Sequence, residues 1–219
     1  MVSGKRKGRE ARDLKRKSPS MEAHKRVLIV CEGEKTEPLY FQGLKRFYQL
    51  NSDIVEITGD CGSSPNSVWE EAQMQYQKSK KLANPYDKVY CVFDRDMHST
   101  YTQTVQAIRS KKPKDTFFAI TSNPCFEYWL LLHFRYTTKS YCPISGKSSA
   151  DRVIEDLKTF LPNYSKGYKN IFSELSSKLD DAITNAKRAN QEADLLVDSP
   201  STYVGDLVLD LKALNPMNI

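Results

Sequence analysis

The chain has no apolar run approaching the roughly 20 residues that a bilayer-spanning helix requires. Its N-terminus is basic but lacks the apolar segment of a secretory signal, so a cytoplasmic location is expected. There is no C-x-x-C. The five cysteines (Cys31, Cys61, Cys91, Cys125 and Cys142) are odd in number and widely spaced. That pattern fits reduced thiols in a reducing compartment and offers no zinc-type pairing. There is also no internal repeat. Ser145-Gly146-Lys147-Ser148 imitates the end of a phosphate-binding P-loop, but the glycine required five residues before Gly146 is Tyr141. No apolar strand leads into it, so ATP hydrolysis by that device is not expected.

What is present describes a soluble globular protein. The chain has 219 residues, 39% hydrophobic and 27% charged, enough for one domain or a domain with a helical extension. Its net charge of +6 is localised. Residues 1–25 hold nine Lys/Arg against three acids, and the remainder balances at 24 of each sign. Residues 1–25 read as a basic flexible arm. Such an arm is either a solubility-promoting tail or a grip on nucleic-acid phosphates through Lys5, Arg6, Lys7, Lys15, Arg16 and Lys17.

Residues 26–135 read as an alternation of strands and helices. Residues 26–31 and 88–93 are short apolar runs rich in β-branched side chains, suited to strands buried on both faces of a parallel sheet. Residues 53–58 and 116–121 give two further strands. Helices are expected from Thr36, read as an N-cap, with Tyr40, Leu44 and Phe47 on one face, and over 66–81, 100–110 and 124–134. The order predicts an open parallel α/β sheet with helices on both faces. Residues 136–219 change character. Apolar spacings around Val153–Leu161, Phe172–Ala189 and Val204–Leu214 predict a helical C-terminal part packed on that core.

Carboxylates punctuate the strand ends. Glu32 directly follows the first buried strand, and Asp94-Arg95-Asp96 directly follows the 88–93 strand. In parallel sheets ligands bind beyond the carboxyl ends of the strands. Two aspartates two residues apart in an extended segment face one side, where they repel unless a cation lies between them. Mg²⁺ (or Mn²⁺) relieves that conflict and favours carboxylate, water and phosphate oxygens. Alone, Glu32 reads equally as the first solvated residue of a loop, and the aspartates as acids neutralised by Arg95 or Lys88. Glu127 sits in the apolar run 123–134, where a buried acid needs a partner or a metal and an exposed one needs neither. His98 is placed to donate a proton to a leaving group.

The segment Val30-Cys31-Glu32-Gly33-Glu34-Lys35-Thr36-Glu37-Pro38, with Val92-Phe93-Asp94-Arg95-Asp96, resembles the Toprim fold, in which a Glu-Gly turn and a later D-x-D bind Mg²⁺. Gly62-Ser63-Ser64-Pro65, the run from Asn123 to Phe134 and the Ala-rich helices resemble the RloB family in particular, over roughly residues 26–215. The resemblance implies a Rossmann-like Toprim sheet and a metal-dependent nuclease of bacterial or archaeal antiphage defence and abortive infection. It also implies a neighbouring AAA-type or ABC-type ATPase as partner, no membrane, and leaves a homo-oligomer open. Carried onto this chain, Glu32, Asp94 and Asp96 match the metal-binding acids, and either Glu34 or Glu37 matches the second acid after the Glu-Gly turn. Glu127 resembles an acid completing a second metal site.

On this reading Mg²⁺-dependent cleavage of DNA or RNA, transfer RNA included, is expected. Glu32 acts as ligand or base. Lys35 and Arg95 neutralise the phosphate. The competing expectations are a non-catalytic nucleic-acid-binding subunit of an ATPase-containing complex, a D-x-D glycosyltransferase and a D-x-D phosphatase.

Overall fold

The apolar run after Arg26 forms β1 (Val27–Cys31), whose five residues are all buried. The computed structural model describes residues 25–62, 64–95, 98–193 and 200–215. The expected arm contacts Lys5, Arg6, Lys7, Lys15, Arg16 and Lys17 lie outside the described residues, as does Asp96. β1 is hidden because it pairs in parallel with β2 (Val55–Thr58) on one side and β3 (Lys88–Asp94) on the other. β3 pairs in parallel with β4 (Phe117–Asn123), giving the order β2-β1-β3-β4-β5. β5 (Ser201–Thr202) joins antiparallel at Ser122 and Asn123. The expected parallel α/β sheet holds for β1 to β4. The short antiparallel edge was not anticipated, because two residues carry no periodicity.

Alternate residues of β1 face opposite sides of the sheet. Val27, Ile29 and Cys31 pack under α1 (Thr36–Phe47), α4 (Phe126–Leu132), α5 (Ser149–Lys158), α6 (Ile171–Leu175), α7 (Leu179–Ala193) and α8 (Val204–Lys212). Leu28 and Val30 pack under α2 (Pro65–Lys81) and α3 (Tyr101–Ser110). Helices therefore cover both faces. Each fully buried Leu, Ile or Val of β1 stabilises the sheet by about 1.5–3 kcal/mol.

Local chemistry sets the helix starts. Ser64 accepts the N–H of Ser67 at 3.2 Å and Pro65 takes the first helical position, so α2 begins at the Gly/Ser-rich turn. α1 corrects one expectation: Lys35 occupies the N-cap position, and Thr36 is a buried helical residue. The 145–148 segment is a turn that ends in a capping box between Ser148 and Asp151. The long C-terminal helix expected from Phe172 to Ala189 is divided, with α6 and α7 joined by a 3-10 turn at Ser176–Lys178.

Candidate functional site

The strand order turns between β1 and β3, because the chain passes from β1 to β2 on one side and from β3 to β4 on the other. Ligand crevices of open α/β sheets form outside the strand ends at such a switch. Cys31 is in register with Val92, so Glu32 and Asp94 leave the sheet together. The ladder extends one step further, the N–H of Glu32 donating to Val92 O at 2.9 Å. The Glu32 carboxylate then accepts the backbone N–H of Asp94 at 3.1 Å.

Glu37 reaches this point from the first turn of α1. A side chain at Gly33 would run into its carboxylate, so the missing Cβ is what lets Glu37 lie back over the turn. Glu37 is 8% exposed. Burial pushes its carboxyl up to about 7, opposed by its own backbone N–H and reinforced by Glu127 and Glu32. Asp94 is raised well above the ordinary range, first by burial and then by Glu37, Glu127 and Glu32, while the N–H of Phe126 favours its charged form. The acid after the turn that lies among these carboxylates is thus Glu37, and Glu34 is exposed at the cleft rim.

Glu127 is 3% exposed, which removes the reading of an acid on a solvated stripe. It lies in the first turn of α4 and accepts the Tyr164 hydroxyl at 3.0 Å and the Cys125 thiol. A loop between α5 and α6 supplies Tyr164 and also Lys166, whose ammonium is favoured chiefly by Glu127. A cleft of about 350 Å³ opens between the 33–37 turn, Asp94, the start of α4 and Lys166. A larger hollow of about 430 Å³ runs along β4 and α8, away from these acids, and is lined mostly by apolar side chains.

Glu37, Asp94 and Glu127 are therefore brought together in the cleft, with Glu32 beside them but outside its lining, and Lys35 lines the cleft with its alkyl chain against Gly167. Arg95 and His98 are exposed and do not line it, and Arg95 lies over the Tyr101 ring at 5.8 Å. His133 is buried and structural, held by Trp129 O at 3.0 Å and facing Tyr40 Oη at 3.4 Å. Sequence reasoning missed Tyr164 and Lys166, which sit in a loop without periodicity and reach the acids only through the fold.

The donor set is all carboxylate, with raised carboxyl groups that a divalent cation would relieve, so its chemistry fits a hard metal ion. Among the described residues, no group of three or more His, Cys, Asp or Glu side chains stands ready to hold one. An ion here would draw these carboxylates closer together than they stand.

An acid cluster at the switch point of a mostly parallel sheet defines an open α/β protein with a candidate anion- or metal-handling centre. The chain belongs to the RloB-like family, whose model, described as RloB-like protein, matches residues 27–211. A comparison with curated proteins finds no match. Among the described residues, no helix is long and apolar enough to cross a membrane.

Proposed function

We propose that this protein is a Mg²⁺- or Mn²⁺-dependent phosphodiesterase of Toprim type that cleaves DNA or RNA in antiphage defence. The observation that carries the reading is the meeting of Glu32, Asp94, Glu37 and Glu127 at the sheet's switch point, three of them pushing up the carboxyl of the fourth. Glu32, Asp94 and Asp96 would hold the ion, with Glu37 and Glu127 as the acids available to a second one. The ion, when bound, supplies Lewis acidity toward a phosphate oxygen and acidifies a bound water.

The chain's own residues divide the remaining tasks. Glu37, where a single ion leaves it unligated, is suited to exchange a proton near neutral pH. Lys35 and Lys166 line the cleft as cations for the phosphate. Tyr164 orients Glu127 by its hydroxyl. The resemblance of the Glu-Gly turn and D-x-D to Toprim nucleases supports the reaction class, and the family's association with ATPases supports an ATPase partner.

The test is digestion of duplex DNA, single-stranded DNA and transfer RNA by the purified chain with Mg²⁺ or Mn²⁺, beside Asp94→Asn and Asp96→Asn. Metal-dependent cleavage lost in both variants supports the reading, and cleavage retained in both refutes it. The competing reading is a nucleic-acid-binding subunit whose partner does the chemistry. That reading predicts binding without cleavage under every metal condition.

A further inference from the structure

The body of the protein balances in charge, but the fold gathers many of its cations at one edge. In each βα unit the helix runs back against its strand, so the C-terminal ends of α1, α2 and α3 gather at the strand-start edge, opposite the cleft. α1 ends in Lys45 and Arg46, α2 in Lys78, Lys80 and Lys81, and α3 in Arg109. The turn into β4 adds Lys112 and Lys114, both exposed. The acids of these turns are Asp53, Asp87 and Asp115, and Asp87 already accepts the N–H of Arg26 at 2.8 Å. Glu56 of β2 lies near Lys45, and Asp210 of α8 is paired with Lys88 at 2.8 Å.

Cations at helix C-termini stabilise the helix dipole, which accounts for some of this bias. It does not account for Lys112 and Lys114, which lie beyond α3. Nor are the charges consumed internally. Among the described residues, Arg46, Lys78, Lys81, Arg109, Lys112 and Lys114 form no ion pair. α1 lies on one face of the sheet and α2 and α3 on the other, so the cations straddle the sheet edge. Lys25 and Arg26 add to this edge where the chain enters β1.

We propose that this strand-start pole is a binding surface for the phosphodiester backbone of a nucleic-acid duplex, separate from the carboxylate cleft. Dispersed lysines act as point charges toward phosphates and gain affinity by releasing counterions, without reading base edges. β3, seven residues long, sets pole and cleft about 20 Å apart. Phosphates held at the pole are therefore not those that face Asp94, and the two surfaces engage different stretches of nucleic acid.

The experiment is fluorescence-anisotropy titration of the full chain with 30-base-pair duplex DNA and duplex RNA, in EDTA, across a salt series. One variant carries Lys78→Glu, Lys81→Glu, Lys112→Glu and Lys114→Glu. A control with the same charge change carries Lys147→Glu, Lys158→Glu, Lys169→Glu and Lys187→Glu. The pole variant should bind one duplex or both at least tenfold more weakly. Its salt dependence should become shallower, by about 0.9 in slope for each phosphate no longer neutralised. The control should bind nearly as the wild type. A matching set of Lys→Gln changes at the pole should weaken binding less, in the same direction, which covers the case of the Glu set misfolding. Equal weakening in pole and control variants, or unchanged binding in the pole variants, would overturn the proposal whether or not the chain cleaves anything.

Discussion

The backbone N–H of Asp94 donates to the carboxylate of Glu32 at 3.1 Å, joining the ends of β3 and β1 where the strand order turns. The sheet register fixes that contact, and the register follows from burial of β1 on both faces. The acids are thus held together by the core, before any ligand is considered, and their mutual repulsion is a property of the fold itself.

That repulsion predicts a gain of stability on neutralisation. Asp94→Asn keeps the shape of the side chain and its acceptor for the Phe126 N–H while removing a charge disfavoured by Glu37, Glu127 and Glu32. In EDTA this variant should melt above the wild type, a gain of about 1 kcal/mol appearing as roughly 2–4 °C. Excess Mg²⁺ should stabilise the wild type and leave the variant unmoved. A melting temperature below the wild type in EDTA would mean that Asp94 is held by favourable partners.

Two buried groups oppose each other in the pH profile. The Glu37 carboxyl is raised from 4.5 to about 7, so between these values the folded chain keeps a proton that the unfolded chain has lost. Its contribution therefore falls as pH rises through that window, by up to about 3 kcal/mol. The His133 ring is lowered from 6.5 to about 4 by burial, so the unfolded chain protonates first and stability falls as pH drops through that window. The windows overlap and the two effects partly cancel. Asp94, also raised by burial and its acidic neighbours, acts in the same sense as Glu37. Glu37→Gln should therefore shift the slope of the profile between pH 4.5 and 6.5 toward stability that rises with pH, relative to the wild type, as measured by urea unfolding. Parallel profiles would show that Glu37 titrates near its ordinary value.

Gly33→Ala separates positioning from folding. The new methyl would strike the Glu37 carboxylate, the movable end of a side chain, so the cost to stability should stay near about 1 kcal/mol. Cleavage and Mn²⁺ affinity should drop by at least tenfold, because Glu37 is driven from the other acids. Wild-type Mn²⁺ affinity in this variant would exclude Glu37 from the site.

Tyr164→Phe tests the loop between α5 and α6. It strips Glu127, 3% exposed, of its hydroxyl donor at 3.0 Å, and should cost about 1–3 kcal/mol in urea unfolding. In a Glu127→Gln background, where the charge is gone, the same change should cost measurably less. Equal costs in both backgrounds would mean that the hydroxyl acts through Thr36, its other hydrogen-bond partner, and not through the charge of Glu127.

The strand-end acids were legible in the sequence because each abuts an uninterrupted apolar run, and a run that must be buried on both faces leaves its first polar residue at the sheet's edge. Glu32 and Asp94 are both of this kind. Glu37 was legible only as one of two alternatives, since spacing along a turn does not say which carboxylate folds inward; Gly33 decides it. Glu127 left burial and exposure open, because an acid in an apolar helix has the same spacing in either case. Tyr164 and Lys166 left no trace, as their loop has neither period nor motif. A count of charges described the body as neutral, and only the return path of the helices shows that many of its lysines and arginines gather at the strand-start edge.

The most direct measurement is anomalous diffraction from a Mn²⁺-soaked crystal of the wild-type chain, beside Asp94→Asn treated identically. The account predicts an anomalous peak in the cleft coordinated by Asp94 and at least one of Glu32 and Glu37, and no peak in the variant. An ordered cleft without a peak at saturating Mn²⁺, or an equal peak in both crystals, would contradict it.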